Sequence, residues 1–201
     1  MLKVQDFQMN MFGVNTYVVW DPASREAMVV DPGMISDAEE LRVVDFIDRE
    51  GLTVKYVVNT HLHLDHAFGN GRSERRWNVR AKASEADMPL GRDLPRQAAM
   101  FGIPGSFEPV EAVDAIGAGT VLTLSDERME VIPCPGHSPG GISLYAPSSG
   151  LLLCGDTLFA GGGVGRTDLP GSDHGALIAT VRHLLSALPA DVTVYPGHGP
   201  A

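Results

Sequence analysis

One short segment, Thr60-His61-Leu62-His63-Leu64-Asp65-His66, constrains this chain more than any other. Three histidines and an aspartate, all able to bind a metal, lie within six residues, although the 201-residue chain has only 7 histidines. The segment follows Val54–Asn59, a valine-rich run that predicts a buried strand. In an extended turn leaving a strand, side chains 61 and 63 point to one side, whereas on a helix they would point apart. The pattern therefore predicts a metal site at the end of a strand.

Three further donors occur downstream in the same kind of setting. His137, Asp156 and His198 each follow a predicted strand and lie beside glycine or proline, which lets the backbone turn sharply. Taken singly, each is more typical of a turn residue or a hydrogen-bonded histidine. Because they share the setting of the first segment, we interpret them as parts of one site.

The number of donors predicts two metal ions. A single zinc takes about four ligands, and crowding the remaining polar groups without partners would be costly. Two ions that share one carboxylate use all the donors and leave positions open for water. Asp156 is the expected bridge, because a carboxylate has two oxygens and an imidazole offers one lone pair. We expect zinc, with iron or manganese as alternatives. The expected metal ligands are His61, His63, Asp65, His66, His137, Asp156 and His198.

The order of predicted elements favours an α+β fold in one domain, residues 1–201. Short strands open the chain, helices and strands alternate in its middle, and a run of strands follows, so we expect packed sheets with helices outside. Ser36 or Asp37 and Ser172 or Asp173 are candidate N-caps. Helices are predicted from 37 to before Gly51, over 67–77, near Arg96–Phe101 and after 173. Strands are predicted over Leu2–Gln8, Asn15–Trp20, Glu26–Val30, Val54–Asn59, Val79–Ala83, Val121–Leu124, Met129–Pro133, Gly141–Ala146, Leu151–Cys154 and Val192–Tyr195.

Composition narrows the range of partners. A formal net charge of −10 disfavours nucleic acid and anionic membranes as partners. No apolar run reaches the ~18 residues of a membrane helix, and the N-terminus does not resemble a signal peptide. The 2 cysteines form no disulfide framework, so we expect a cytoplasmic protein. The basic window 72–82 is typical of a solvated helix face, but it also makes Arg72, together with Arg166, a candidate contact for an anionic substrate.

The donor pattern resembles the signature of the metallo-β-lactamase superfamily, HxHxDH followed by a distant His, Asp and His. The resemblance implies a four-layer αββα sandwich with the site at one edge. It places His61, His63 and His137 on one metal, and it places Asp65, His66 and His198 on a second metal, with Asp156 bridging. Aspartate at 156 resembles the glyoxalase II branch, and the segments 155–159 and 165–168 are similar to its compact, single-domain bacterial members.

This resemblance implies a metal-dependent hydrolase of a small anionic thioester, similar to S-lactoylglutathione. Two such ions lower the pKa of water to near 7 and supply a bridging hydroxide, with Asp65 and Asp156 as the catalytic carboxylates. A thioester is favoured over an amide, because a thiolate leaves without a proton donor. The alternatives are a mononuclear iron persulfide dioxygenase of the same superfamily, a lactonase, or a serine hydrolase with Ser138 in a GxSxG turn.

Overall fold

The computed structural model describes residues 1–201 and contains two large β-sheets packed face to face. In the first sheet the strands lie in chain order, β1 to β6, and the pairs from β3 onward are parallel. Its strands are β1 (Lys3–Met9), β2 (Val14–Trp20), β3 (Glu26–Val30), β4 (Thr53–Val58), β5 (Ala81–Ala83) and β6 (Asp114–Ala115).

The second sheet has the order β13-β10-β9-β8-β7, and only the pair of β10 with β13 is parallel. Its strands are β7 (Val121–Leu124), β8 (Glu127–Pro133), β9 (Ile142–Ala146), β10 (Leu151–Gly155) and β13 (Thr193–Pro196). A separate small hairpin joins β11 (Leu158–Phe159) to β12 (Gly163–Val164). The helices are α1 (Asp37–Glu50), α2 (Leu64–Ala67), α3 (Asn70–Trp77), α4 (Met88–Arg92), α5 (Leu94–Met100) and α6 (His174–Ala187).

Alternation along the strands divides the apolar residues between two layers. Val19 and Met28 of the first sheet meet Leu144 and Leu153 of the second in the core between the sheets. Residues one position away, such as Val18, face outward and pack against α1 in a second cluster. Helices therefore cover the outside of the paired sheets, and the expected αββα sandwich is confirmed.

Both long helices begin where the sequence predicts. The Ser36 hydroxyl accepts a hydrogen bond from the Glu39 amide, and α1 ends at Gly51 in the left-handed conformation. The Asp173 carboxylate caps α6 through the Ala176 amide. These caps satisfy amides that the first helical turn leaves without partners, so each cap marks a helix start in the sequence.

The middle of the chain corrects two predictions. The single helix predicted over 67–77 is two helices, α2 and α3, because the backbone of Gly69 leaves helical geometry and its amide donates to the Pro32 carbonyl. Instead of one helix near Arg96–Phe101, α4 and α5 follow each other. Pro89 and Pro95 lie in their first turns, where a missing N–H costs nothing. These prolines therefore lie at helix starts, and the sequence analysis predicted only the second of the two helices.

The topology brings several strand ends to one end of the sandwich. Strands β3 and β4 run in parallel, as do β10 and β13, and β8 runs in the same direction as β10 because both flank β9 antiparallel. The two sheets are joined here, since Val14 bridges to His198 and the Asn15 amide donates to the Gly197 carbonyl at 2.7 Å. None of the helices is long and apolar enough to span a membrane.

Candidate metal centre

The four donors of the first segment leave β4 in two different conformations. His61 and His63 lie on the extended backbone after β4, whereas Asp65 and His66 lie on the short helix α2. All four side chains are buried. The change from extended chain to helix points the two pairs to neighbouring positions, so one segment supplies donors to two groups.

The remaining donors reach the same place from the second sheet. His137 follows β8, Asp156 follows β10 and His198 follows β13. Gly155 enables the turn before Asp156, with φ of 51° and the Thr60 side chain packed where a Cβ would lie. Thus the three donors that are distant in sequence meet the first segment at the joined end of the sheets.

The seven side chains form overlapping groups whose donor atoms lie within 4.8 Å of one another. One group is His61, His63 and His137; a second is Asp65, His66 and His198; a third is His61, His66 and Asp156. The structure therefore brings together every residue that the sequence predicts as a metal ligand.

Asp156 lies between the first two groups. Its Oδ1 is 3.5 Å from His66 Nε2, while its Oδ2 is 3.5 Å from His137 Nε2 and 3.6 Å from His198 Nε2. The carboxylate therefore lies within reach of both groups, and its two oxygens allow it to serve as a shared ligand.

Hydrogen bonds on the outer side of the histidines determine which nitrogen faces inward. His137 Nδ1 lies 2.8 Å from the Arg166 carbonyl, and His198 Nδ1 lies 3.1 Å from the Phe12 carbonyl. A carbonyl only accepts hydrogen bonds, so each Nδ1 carries the proton and each Nε2 presents its lone pair to the site. His66 follows the same rule, because its Nδ1 lies 2.9 Å from the Asp31 carboxylate.

Burial and neighbouring charges shift the pKa values of these histidines in different directions. Burial lowers the pKa of His61 well below its ordinary value and that of His63 to about 3, so both imidazoles are neutral and able to coordinate. Burial also acts to lower the pKa of His66, but Asp65 and Asp31 outweigh it and the pKa is raised. A positive charge is therefore stabilised at this point of the site.

The residues fit a pair of divalent cations. His61 Nε2, His66 Nε2 and Asp156 Oδ1 are buried and have no hydrogen-bond partner. Unpartnered buried polar atoms are rare in folded proteins and call for an ion or an ordered water. Imidazole and carboxylate are both ligands of divalent transition metals, so this donor set is that of a divalent metal site.

A family model described as the metallo-beta-lactamase superfamily matches residues 9–198. The chain belongs to the metallo-beta-lactamase superfamily. It is 32% identical over 201 residues to hydroxyacylglutathione hydrolase GloC of Haemophilus influenzae, covering 98% of this chain and 91% of the relative. Crystal structures of BLEG-1 B3 metallo-beta-lactamase and of TTHA1623 in a di-iron-bound form resemble it with TM-scores of 0.86 and 0.85. Each is 29% identical, and each comparison covers 98% of this chain and 92% of the other chain.

Two buried carboxylates support this metallo-beta-lactamase site, and the sequence analysis missed both. Asp31 follows β3 and accepts hydrogen bonds from the Thr60 amide at 2.7 Å and the Thr60 hydroxyl at 2.6 Å, besides facing His66. Its position carried a usable signal, because neighbouring parallel strands end on the same side and β3 pairs with β4. We interpreted Asp31-Pro32-Gly33 only as the end of a strand.

Asp87 is the second of these carboxylates, and it joins the two loops that carry His61, His63 and His137. It accepts hydrogen bonds from the Leu62 amide at 3.0 Å, the Ser138 hydroxyl at 2.8 Å and the Gly140 amide at 2.5 Å. Burial raises the pKa of Asp87, and the three donors oppose that shift. No local sequence signal marks this residue, since it lies in the poorly patterned segment 84–119.

The serine hydrolase alternative fails on geometry. Ser138 is fully buried, and its hydroxyl donates to Asp87 instead of facing a histidine. A strand, β9, follows the turn, whereas a nucleophile elbow needs a helix there.

A cavity of about 650 Å³ opens over the metal ligands. His63, Asp65, His137, Asp156 and His198 form its floor, and its size is typical of a small-molecule site. Its walls come from α4, α5, the β11–β12 hairpin and the loops around them. The wall residues are Phe12, Leu64, Leu90, Asp93, Arg96, Gln97, Met100, Phe101, Phe159, Val164, Arg166, Leu169, Pro170 and Gly199.

The two predicted substrate contacts are placed differently. Arg166 lines the cavity, although its guanidinium is held by Asp168 at 2.6 and 2.7 Å. Arg72 does not line the cavity, because Asp37 and Glu40 bind its guanidinium at 2.6 and 2.9 Å on the side of α1. We therefore withdraw Arg72 as a substrate contact, because its charge is paired with two carboxylates away from the cavity.

Proposed function

We propose that this chain is a metal-dependent thioester hydrolase with two divalent ions, zinc being the first choice. The observation that carries the proposal is Asp156, whose carboxylate lies between the two donor groups on the floor of an open cavity, close to His137 of the first group and to His66 and His198 of the second. Two neighbouring donor groups under a cavity suit a dinuclear hydrolase better than a mononuclear centre. The relative named hydroxyacylglutathione hydrolase GloC supports a thioester as the substrate.

His61, His63 and His137 would hold one ion, Asp65, His66 and His198 the other, and Asp156 would touch both. Bound there, the ions would supply Lewis-acid polarisation of the substrate carbonyl and a water of lowered pKa. Asp31 and the carbonyls of Phe12 and Arg166 hold the Nδ1 atoms of His66, His198 and His137, so that the Nε2 atom of each ring faces the site.

The cavity favours a leaving group that needs no proton. Outside the metal ligands, no histidine, lysine, tyrosine or cysteine lines it, so no general acid stands ready for an amine. In thioester hydrolysis, water adds its oxygen to the carbonyl carbon and the C–S bond breaks. The products are a carboxylate and a thiolate, with two protons released to solvent. Asp65 and Asp156, the expected catalytic carboxylates, both lie on the cavity floor.

Elemental analysis of the purified protein, paired with a thioester assay, tests this proposal. We expect about two ions per chain and hydrolysis of S-lactoylglutathione that stops on chelation and returns with zinc. Asp156→Asn should lose metal and activity together. Asp173→Asn is the matched control, because asparagine caps a helix as well as aspartate does. One iron per chain with oxygen uptake on glutathione persulfide, and no hydrolysis, would overturn the proposal in favour of a dioxygenase.

A further inference from the structure

The walls of the cavity are mostly apolar, whereas its floor consists of polar side chains. On one side, Met100 and Phe101 at the end of α5 lie with Leu90 and Phe12. The rings of Phe12 and Phe101 meet edge to face at 5.5 Å. Phe159 of the β11–β12 hairpin lines the opposite side, as do Val164 and Leu169. A ligand in this cavity therefore touches mainly carbon once it leaves the metal ligands.

Part of this wall is exposed to solvent. Met100 is 59% exposed and Phe101 is 43% exposed, so both are among the few large apolar side chains that the fold leaves uncovered. Covering apolar area with an apolar ligand is favourable, at about 25 cal/mol per Å². A charged ligand group placed here would lose hydration without gaining a partner.

The charged residues of the cavity do not provide for an anionic tail. The only cationic side chains lining it are Arg96 and Arg166. Arg96 lies 3.8 Å from Asp93, and Arg166 donates two hydrogen bonds to the Asp168 carboxylate. Each cation thus has a carboxylate beside it. A glutathione thioester carries a carboxylate at each end of its tripeptide, and each would have to compete with Asp93 or Asp168 for its cation.

We propose that the preferred substrate is a thioester whose non-reacting part is uncharged and apolar and packs on Met100, Phe101, Leu90 and Phe12. This inference rests on the proposed thioester hydrolase function and specifies its substrate class. The metal site would act on the thioester carbonyl. The apolar wall of the cavity would select the group that the thioester carries beyond that carbonyl.

A pair of thioesters with the same acyl group provides the test. The thioesters of lactic acid with glutathione and with benzyl mercaptan share the reacting carbonyl and an alkyl thiol leaving group, and they differ in charge and polarity. After each rate is divided by that of uncatalysed alkaline hydrolysis, we expect kcat/KM to be about tenfold higher for the benzyl thioester, the gain from burying one ring in part.

Variants of the wall separate packing from a general effect. Met100→Ser and Phe101→Ser should lower kcat/KM on the benzyl thioester about fivefold, mainly through KM, and leave the glutathione thioester within about twofold. Leu185→Ser is the matched control, because Leu185 is 71% exposed on α6 and does not line the cavity. Melting temperatures of all variants identify any loss caused by unfolding.

The possible outcomes distinguish failure of the proposed substrate class from failure of the proposed thioester hydrolase function. Preference for the glutathione thioester, or equal effects of the wall variants on both substrates, would overturn the apolar substrate class and leave the thioester hydrolase standing. Absence of hydrolysis of both thioesters by the zinc-loaded protein would overturn the proposed function itself.

Discussion

Asp87 offers the sharpest test of how the fold holds the metal ligands. Its carboxylate accepts from the Leu62 amide, between His61 and His63, and from Ser138 and Gly140, next to His137. One side chain thus ties the loops that supply three of the expected ligands. We predict that Asp87→Asn loosens this tie and weakens metal binding as well as stability.

The expected loss of stability follows from the acceptor oxygen that the Asp87→Asn variant lacks. Asparagine keeps one acceptor oxygen, so its NH₂ group must face either the Leu62 amide or the Gly140 amide, which are both donors. A hydrogen bond to a charged group contributes about 1.5–3 kcal/mol, and the opposed donors add a desolvation penalty. We expect a loss of about 3 kcal/mol, which corresponds to ~6–12 °C in Tm at this chain length. Zinc affinity should fall about 10–100-fold, as is typical when a residue that orients a metal ligand is replaced.

The assay measures stability and metal binding separately. Thermal unfolding of the metal-free protein gives the first quantity, and competition with a chromogenic chelator at a temperature where the variant is folded gives the second. Asp21→Asn is the control, because Asp21 accepts from the Ser24 amide in a distant turn and asparagine can do the same. A Tm within about 1 °C of the parent would refute the stability argument, and unchanged zinc affinity in a destabilised variant would reduce Asp87 to a structural residue.

Two further substitutions test the geometry of the site. Gly197→Ala places a Cβ against Asp156 Oδ1 and the His66 ring, so we expect a folded protein, by circular dichroism, that retains at most about half of the parent's bound metal by elemental analysis. Full metal content in this variant would show that the ligands have room to shift. Asp168→Ala releases the Arg166 guanidinium, so KM for a glutathione thioester should fall while KM for a neutral thioester stays constant; equal changes for both would contradict the role we give to this ion pair.

The side chains that meet at the candidate metal centre could be predicted from sequence because each one follows a predicted strand in a similar local setting. His61 and His63 alternate beyond a valine-rich strand, and Asp156 follows a strand next to a glycine. Such signals involve only residues that lie close together in the chain, so they can be recognised in the sequence. The same holds for Ser36 and Asp173, whose capping side chains mark the starts of α1 and α6.

The residues that orient the ligands could not be predicted in this way, because their role lies in contacts distant along the chain. Asp87 acts on a histidine loop 51 positions further along, through Ser138. The Arg166 backbone carbonyl, which any residue could supply, orients His137. Backbone groups carry no residue-type signal, and a buried aspartate in a proline-rich segment looks like a turn residue. Only the tertiary structure shows what these groups do.

The residues that determine the reaction and the residues that contact the substrate also differ in how well the sequence predicts them. The ligands that determine the chemistry lie at strand ends, where the two packed sheets hold them in place. Much of the cavity wall comes from α4 and α5, in the segment where the sequence pattern was weakest and where α4 was not predicted. Substitutions at exposed wall positions such as Met100 cost little stability, so the substrate range can change there without disturbing the metal ligands. The hydrolase chemistry of this chain therefore follows from its sequence motifs, whereas its substrate class has to be inferred from the packing of α5 over the site.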